Sequence, residues 1–304
     1  METGKMKRSI RLFLILLLLP FNLISWAWVE SLSKPPSLEI DFLDVGQGDS
    51  IFIQTPDDMQ VIIDGGPSSG IIEKLGSAMP FYDRSIDLLI LTHPDPDHLL
   101  GLIDVLKNYT VGELIYTGIK SDNPEFKEFE KEISRNKTSL QVVKKGNKVL
   151  IGDYIYFDIL APLEDFEGRE VSDFNTSSIV FRLVFDNFSA IFTGDAPTSI
   201  ESKLIAEKGN SLDSDILKVG HHGSKTSTSE EFLERVTPEL AVIQVGSNHK
   251  NDSECDDKEN NRYGHPNCAV MERLRKYGIK VLRTDLNGDV KIRSDGKNFE
   301  IINF

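Results

Sequence analysis

The stretch Thr92-His-Pro-Asp-Pro-Asp-His98 constrains this chain more than any other. Within it His93, Asp95, Asp97 and His98 offer groups that bind divalent metal, and Pro94 and Pro96 hold the backbone between them extended. The run Ile86–Thr92 is mostly apolar and of strand length, and Leu99–Leu106 has the apolar spacing of a helix start. A strand, a ligand-rich turn and then a helix put these side chains at a strand's C-terminal edge, where α/β folds commonly keep their chemistry.

Other strand ends repeat the theme. Residues 38–44, 51–55 and 61–64 read as a β meander whose last strand stops at Asp64 before Gly65-Gly66. An Asp in that place is often only a turn former. Residues 141–145, 148–151 and 154–160 read as a second set of strands with hairpin turns at Gly146-Asn147 and Gly152-Asp153, which predicts a second β layer. The strand 189–192 ends in Thr193-Gly-Asp195, and the strand 215–219 ends in Gly220-His-His-Gly223. Adjacent histidines between glycines are poor core packing and point to function. The segment 124–136 reads as a solvated surface helix with Phe126 and Phe129 on one side.

If these strands are neighbours, one edge gathers His93, Asp95, Asp97, His98, Asp195 and one of His221 and His222. That is enough for two divalent ions, which can share a hydroxide, lower its pKa and stabilise an oxyanion. Imidazole suits Zn and added carboxylate shifts preference toward Mn, so the ligand set leaves both open.

Composition bears on partners and compartment. The chain has 304 residues, 39% hydrophobic and 27% charged, which suits a globular protein. Lys5, Lys7, Arg8 and Arg11 precede the apolar run Leu12–Leu19, so residues 1–27 are expected to be a signal peptide or an N-terminal membrane anchor, with a linker at 28–37 and export as the consequence. The formal charge is −14, and loss of residues 1–27 would take it to about −17. Such a surface does not attract long polyanions at a distance. Cys255 and Cys268 are the only cysteines and are expected to close a disulfide in an oxidising compartment. The polar, acidic insertion 247–261, which contains His249, exceeds ordinary loop length.

The loop His93–His98 resembles the signature His-x-His-x-Asp-His of the metallo-β-lactamase superfamily, with Asp95 in the second ligand position. Asp64-Gly-Gly, Thr193-Gly-Asp195 and His221-His-Gly-Ser224 fall where that superfamily has its other motifs. Residues 38–296 are similar to a variant of it, the C-terminal domain of the ComEC family of DNA-uptake channels. The similarity lies in Asp44-Val-Gly-Gln-Gly-Asp49, Leu217-Lys-Val-Gly-His-His-Gly-Ser224, Tyr263-Gly-His-Pro266 and Arg283-Thr-Asp285.

The resemblance implies an α+β protein, an αββα four-layer sandwich over residues 38–304 with a dinuclear site between its sheets. It implies His93 and Asp95 on one ion, Asp97 and His98 on the other, Asp195 bridging, and His221 or His222 completing the second ion beside a neighbour that meets a substrate oxyanion. Asp97, Asp195 and His222 are then the residues closest to the chemistry. Asp64 is expected to support the loop by hydrogen bonding. His265 would position substrate or cap a turn, and Ser224 and Lys225 would contact phosphate or merely face solvent. Asn175 falls near the place of a middle histidine ligand that this chain lacks. The membrane channel of the uptake proteins has no counterpart here, so the expectation is their soluble catalytic domain as a separate exported protein, with the insertion bordering its site.

The expected activity is metal-dependent hydrolysis by metal-activated hydroxide, as a phosphodiesterase or nuclease acting on single-stranded DNA or a small phosphodiester. A lactonase or β-lactamase activity is the alternative within the superfamily, and a competence-related binding module without catalysis is the alternative outside it.

Overall fold

Alternation in the early strands sorts their side chains between two cores. In β1 (Leu38–Phe42), β2 (Ile51–Gln54) and β3 (Gln60–Ile63), the residues Leu38, Ile40, Phe42, Ile51, Ile53, Val61 and Ile63 face a shared interior, while Phe52 and Ile62 face the other way. The structure is a computed structural model that describes residues 37–246 and 264–302, with a few positions between residues 16 and 26.

After the meander the chain runs through α1 (Gly70–Ala78), β4 (Ser85–Ile90), α2 (Pro96–Asn108), β5 (Thr110–Tyr116), α3 (Pro124–Asn136) and β6 (Ser139–Val142). From β3 to β6 the pairings are parallel, each crossing over through a helix. Then β7 (Lys148–Ile151), β8 (Ile155–Ala161), β9 (Val180–Phe185) and β10 (Phe188–Phe192) form an antiparallel run. It continues, in parallel, into β11 (Ile216–Lys218), β12 (Leu240–Ile243) and β13 (Lys280–Arg283), with α4 (Thr198–Lys208), α5 (Glu230–Val236) and α6 (Cys268–Lys276) between them. Finally β14 (Val290–Ser294) returns to pair with β1, and β15 (Phe299–Ile301) closes that edge.

The result is an eight-stranded sheet, β15-β14-β1-β2-β3-β4-β5-β6, facing a seven-stranded sheet, β13-β12-β11-β10-β9-β8-β7. Between them Phe42, Phe157, Phe181 and Phe192 pack with the aliphatic residues of both inner faces. Helices α1 to α3 cover the outer face of the first sheet, and α4 to α6 that of the second. This is the expected αββα sandwich.

One reading is corrected. The strand placed at 141–145 lies at Ser139–Val142 and belongs to the first sheet, because the crossover through α3 delivers it parallel to β5. The helix 124–136 is a surface helix as expected, with its charged side in solvent. Phe126, Phe129 and Ile133 are buried against the first sheet, where each large apolar side chain contributes about 1.5–3 kcal/mol.

Close backbone approach locks the loop of interest. A Cβ on Gly101 in α2 would lie 1.8 Å from the Gly65 carbonyl oxygen, so the helix can sit on the Asp64-Gly-Gly turn only as glycine. The Gly65 N–H donates to the His98 carbonyl at 2.7 Å, and the Asp49 N–H to the Asp97 carbonyl at 3.3 Å. The two turns of the first sheet and the start of α2 are thereby laced together.

Most of the segment 1–27, residues 28–36 of the linker, His249 with the insertion 247–261, and Cys255 and Tyr263 lie outside the described residues. Cys268 is disulfide-bonded. Among the described residues no helix is long and apolar enough to cross a membrane.

Candidate metal centre and active site

The C-terminal ends of β3, β4, β10, β11 and β12 meet at one rim of the sandwich, and each delivers a polar group. From β4 come Thr92 and the loop 93–98. Asp95 sits at the N-cap position of α2 with extended backbone (φ −69°, ψ 146°), yet its carboxylate makes no cap hydrogen bond. A capping Asp normally bonds the N–H groups of the first turn. Here Asp95 Oδ2 instead lies 3.4 Å from His93 Nε2.

Asp64, at the end of β3, is fully buried and has all its partners in the loop. Its Oδ1 accepts from the Thr92 N–H at 2.8 Å, and its Oδ2 accepts from the Thr92 hydroxyl at 2.6 Å and from His98 Nδ1 at 2.8 Å. The Thr92 oxygen in turn lies 3.0 Å from His93 Nδ1. With the Thr92 proton given to Asp64, His93 Nδ1–H must be the donor. Both imidazoles therefore keep Nδ1 protonated and turn an Nε2 lone pair inward. Asp64 thereby ties the end of β3 to the loop 92–98.

The second sheet supplies the facing wall. Gly194, at φ +48°, passes so close to Thr92 that a Cβ there would lie 3.1 Å from the threonine's own, and Asp195 follows with its N–H on the Ser178 hydroxyl at 3.2 Å. After β11, His221 (φ 48°) and His222 (φ 53°) are both left-handed, a conformation that costs about 1–2 kcal/mol per non-glycine residue. The turn is held by Ser227, whose hydroxyl donates to the Gly220 carbonyl at 2.6 Å. Its effect is to separate the two rings. His222 is buried with Nδ1 2.9 Å from the Gln244 carbonyl, while His221 is partly exposed, with Nδ1 3.5 Å from both the Asn175 amide and the Thr226 hydroxyl.

Four Nε2 atoms converge on one oxygen. Asp195 Oδ2 lies 3.4 Å from His98, 3.5 Å from His222, 3.8 Å from His221 and 4.0 Å from His93. His222 Nε2 is also 3.3 Å from Asp97 Oδ2. Among the described residues the Nε2 atoms of His93, His98 and His222 are buried without a hydrogen-bond partner. An orphaned buried nitrogen costs about 1–3 kcal/mol, and three aimed at one point fit cations in the space between them. The groups His93/His98/Asp195 and Asp97/His98/His222 each have the spacing to hold an ion.

Charge agrees with that fit. Burial would lower the pKa of both imidazoles, but the Asp195 and Asp64 carboxylates raise His98 well above the ordinary histidine value, and Asp195 and Asp49 carry His222 up to about 9. Burial likewise would raise Asp97 and Asp195, yet the neighbouring imidazoles hold both well below the usual carboxylate range. Carboxylates that draw protons onto buried imidazoles are short of positive charge, which divalent cations supply.

A sequence profile described as the Metallo-beta-lactamase superfamily matches residues 43–246. The chain belongs to this superfamily. It is 34% identical over 272 residues to ComE operon protein 3 of Bacillus subtilis (strain 168), covering 84% of this chain and 33% of that protein. It is 34% identical over 249 residues to Competence protein ComA of Neisseria gonorrhoeae, covering 81% and 30%. Recombination protein 2 of Haemophilus influenzae (strain ATCC 51907 / DSM 11121 / KW20 / Rd) is 30% identical over 277 residues, covering 90% and 31%. The chain thus spans about a third of these relatives. Among solved structures CmlA, a diiron β-hydroxylase from Streptomyces venezuelae, has a TM-score of 0.53 at 14% identity, over 89% of this chain and 55% of that one, a likeness of fold alone.

Members of the metallo-β-lactamase superfamily are usually metal-dependent hydrolases and typically bind divalent metals. The residues expected from sequence are all at or beside this rim, with different burial. Asn175 turns toward His221, and its Oδ1 is buried without a hydrogen-bond partner among the described residues. The His265 ring is 5.5 Å from that of His221 by centroids, because its loop packs on Gly223, where Asn267 N–H donates to the Gly223 carbonyl at 2.9 Å. Ser224 is spent within its own turn, its Oγ 2.9 Å from the Thr226 hydroxyl, and Lys225 is exposed. Sequence reasoning quoted Asp49 and Lys218 without placing them in the site, and it did not single out Gln244. Asp49 and Lys218 stood inside the recognised motifs, and that was the available signal. Gln244 carried none, since it acts through its backbone carbonyl.

Proposed function

We propose that this protein is an exported, metal-dependent phosphodiesterase that acts on short single-stranded nucleic acid or a small phosphodiester through a dinuclear centre. The observation that carries the reading is the convergence of three orphaned, buried Nε2 atoms on Asp195 Oδ2, with the carboxylates of Asp95 and Asp97 beside them. His93, Asp95 and Asp195 would hold one divalent cation. Asp97, His98 and His222 would hold the other, with Asp195 reaching both. When bound, such a pair supplies Lewis acidity and lowers the pKa of water toward neutrality.

The chain's own residues do the rest. Thr92, Asp64 and the Gln244 carbonyl keep the Nδ1 protons of His93, His98 and His222 away from the centre. His221, His265 and Asn175 line the open side, where a phosphodiester oxygen would find donors. Of the matched relatives one is named for competence and one for recombination, which favours a nucleic-acid substrate. The formal charge of −14 favours short strands over long duplex. The three carboxylates Asp95, Asp97 and Asp195 among the assigned ligands favour harder cations, Mn as well as Zn.

The test is metal content of the purified protein, followed by assays with Mn or Zn on single-stranded DNA, a small phosphodiester and a panel of lactams and lactones. Two ions and phosphodiester cleavage are expected. Cleavage confined to the lactam and lactone panel would replace the reading with the other hydrolase type, and an inert site with no bound metal would replace it with a binding module. The mass of the secreted chain checks export and shows whether residues 1–27 are removed.

A further inference from the structure

Beneath the ring of histidines lies an ion pair that the proposed function does not use. Asp49 follows the Gly46-Gln-Gly48 turn of the first sheet, and Lys218 ends β11 of the second. Their side chains are 2% and 1% exposed and in direct contact. Burying two charges costs each its hydration, and an apolar pair of similar size is often no less stable. Stability alone is therefore a weak reason for placing them there.

The contacts of the pair point at the site. Lys218 Nζ donates to the Gly194 carbonyl at 3.3 Å and stands 3.9 Å from Asp195 Oδ1, the oxygen turned away from the imidazoles, which has no hydrogen-bond partner among the described residues. Asp49 Oδ1 is 3.3 Å from His222 Nδ1, and its Oδ2 is 3.9 Å from His98 Nδ1. Against Asp49, Asp64, Asp95, Asp97 and Asp195 the ammonium of Lys218 leaves an excess of about four negative charges, which two divalent cations would balance.

We propose that Lys218 is a positioning residue whose ammonium, held in place by Asp49, keeps Asp195 Oδ1 on the protein side so that Oδ2 alone faces both cation positions. This rests on the dinuclear reading. Without the ammonium, Asp195 could turn Oδ1 toward the cation positions as well, and Oδ2 would no longer be the one oxygen offered to both. The fixed cation thus sets whether the two positions share a ligand.

The experiment compares the wild type with Lys218→Met and with the double variant Asp49→Asn, Lys218→Met. Each is loaded with Mn, with ion number and affinity taken from titration and exchange coupling from electron paramagnetic resonance. The double variant leaves no buried charge alone, so it reports on the site even where Lys218→Met fails to fold, and melting curves establish that it is native. Expected are two coupled ions in the wild type and, in the folded variant, a second ion bound about tenfold or more weakly with its coupling lost. A folded variant holding two ions with unchanged affinity and coupling overturns the proposal. A wild type that binds fewer than two ions overturns instead the dinuclear reading beneath it.

Discussion

The inner and outer walls of the site use the same side chains differently. On the inner wall His93, His98 and His222 are buried, and each has its Nδ1 tied to the protein, through Thr92, Asp64 and the Gln244 carbonyl. On the outer wall His221 and His265 are only partly buried, and the nearest polar atoms to His221 Nδ1 stand at 3.5 Å. An imidazole held by one nitrogen has a fixed tautomer and a fixed lone pair, which is what a metal needs. A loosely held one can change partner as a substrate arrives. Their electrostatics differ in the same sense. His222 is carried up to about 9 by Asp195 and Asp49, whereas burial together with His221 and His222 pushes His265 down to about 4. Near pH 7 His265 is accordingly a neutral acceptor or donor, suited to a polar substrate group.

The contrast can be broken most severely at His98, which belongs to both candidate ion groups. His98→Ala is expected to abolish bound metal and activity together, and elemental analysis after dialysis checks it; retention of two ions would end the division into walls. Asp64→Asn should act through orientation alone and weaken metal binding about 10–100-fold, measured by competition with a chelator. On the outer side His221→Ala and His265→Ala should keep two ions while slowing turnover about a hundredfold. Loss of an ion from His221→Ala would move that residue to the inner wall.

Asp41 offers a control with burial but a sparser cation field. Burial pushes its carboxyl up to about 6, with Lys291 offsetting only part. Its folded pKa lies above the unfolded value, so its contribution is fully present below about pH 4 and is lost as pH rises through about 6. Asp41→Asn should flatten that decline, which could reach about 3 kcal/mol, in denaturant titrations across the window. The smallest effect concerns Asp95. A working N-cap is worth about 1 kcal/mol, but this carboxylate caps nothing, so Asp95→Ala should change stability in chelator by less than about 0.5 kcal/mol. A larger loss would mean that Asp95 serves the helix rather than the centre.

Sequence alone determined the layered α+β fold and the positions at which chemistry could occur. Short apolar runs that stop at Asp64, His93, Asp195 and His221 mark the strand ends locally, in the residues themselves, and the resemblance of the motifs supplied the four-layer order. The assignment of β6 to the first sheet was not local, since which sheet a short strand joins depends on where α3 delivers it. Nor could sequence separate His221 from His222. The left-handed turn after β11, the Gln244 carbonyl from β12 and the open side beside Asn175 send one ring inward and the other to the mouth. Asp49 and Lys218 were out of reach for the same reason. They are 169 residues apart in the chain, and a buried pair exists only once the two sheets face each other. Ligand types are written in the sequence, but tautomers, anchors and charge partners arise from contacts between distant strand ends, and those only the packed sandwich decides.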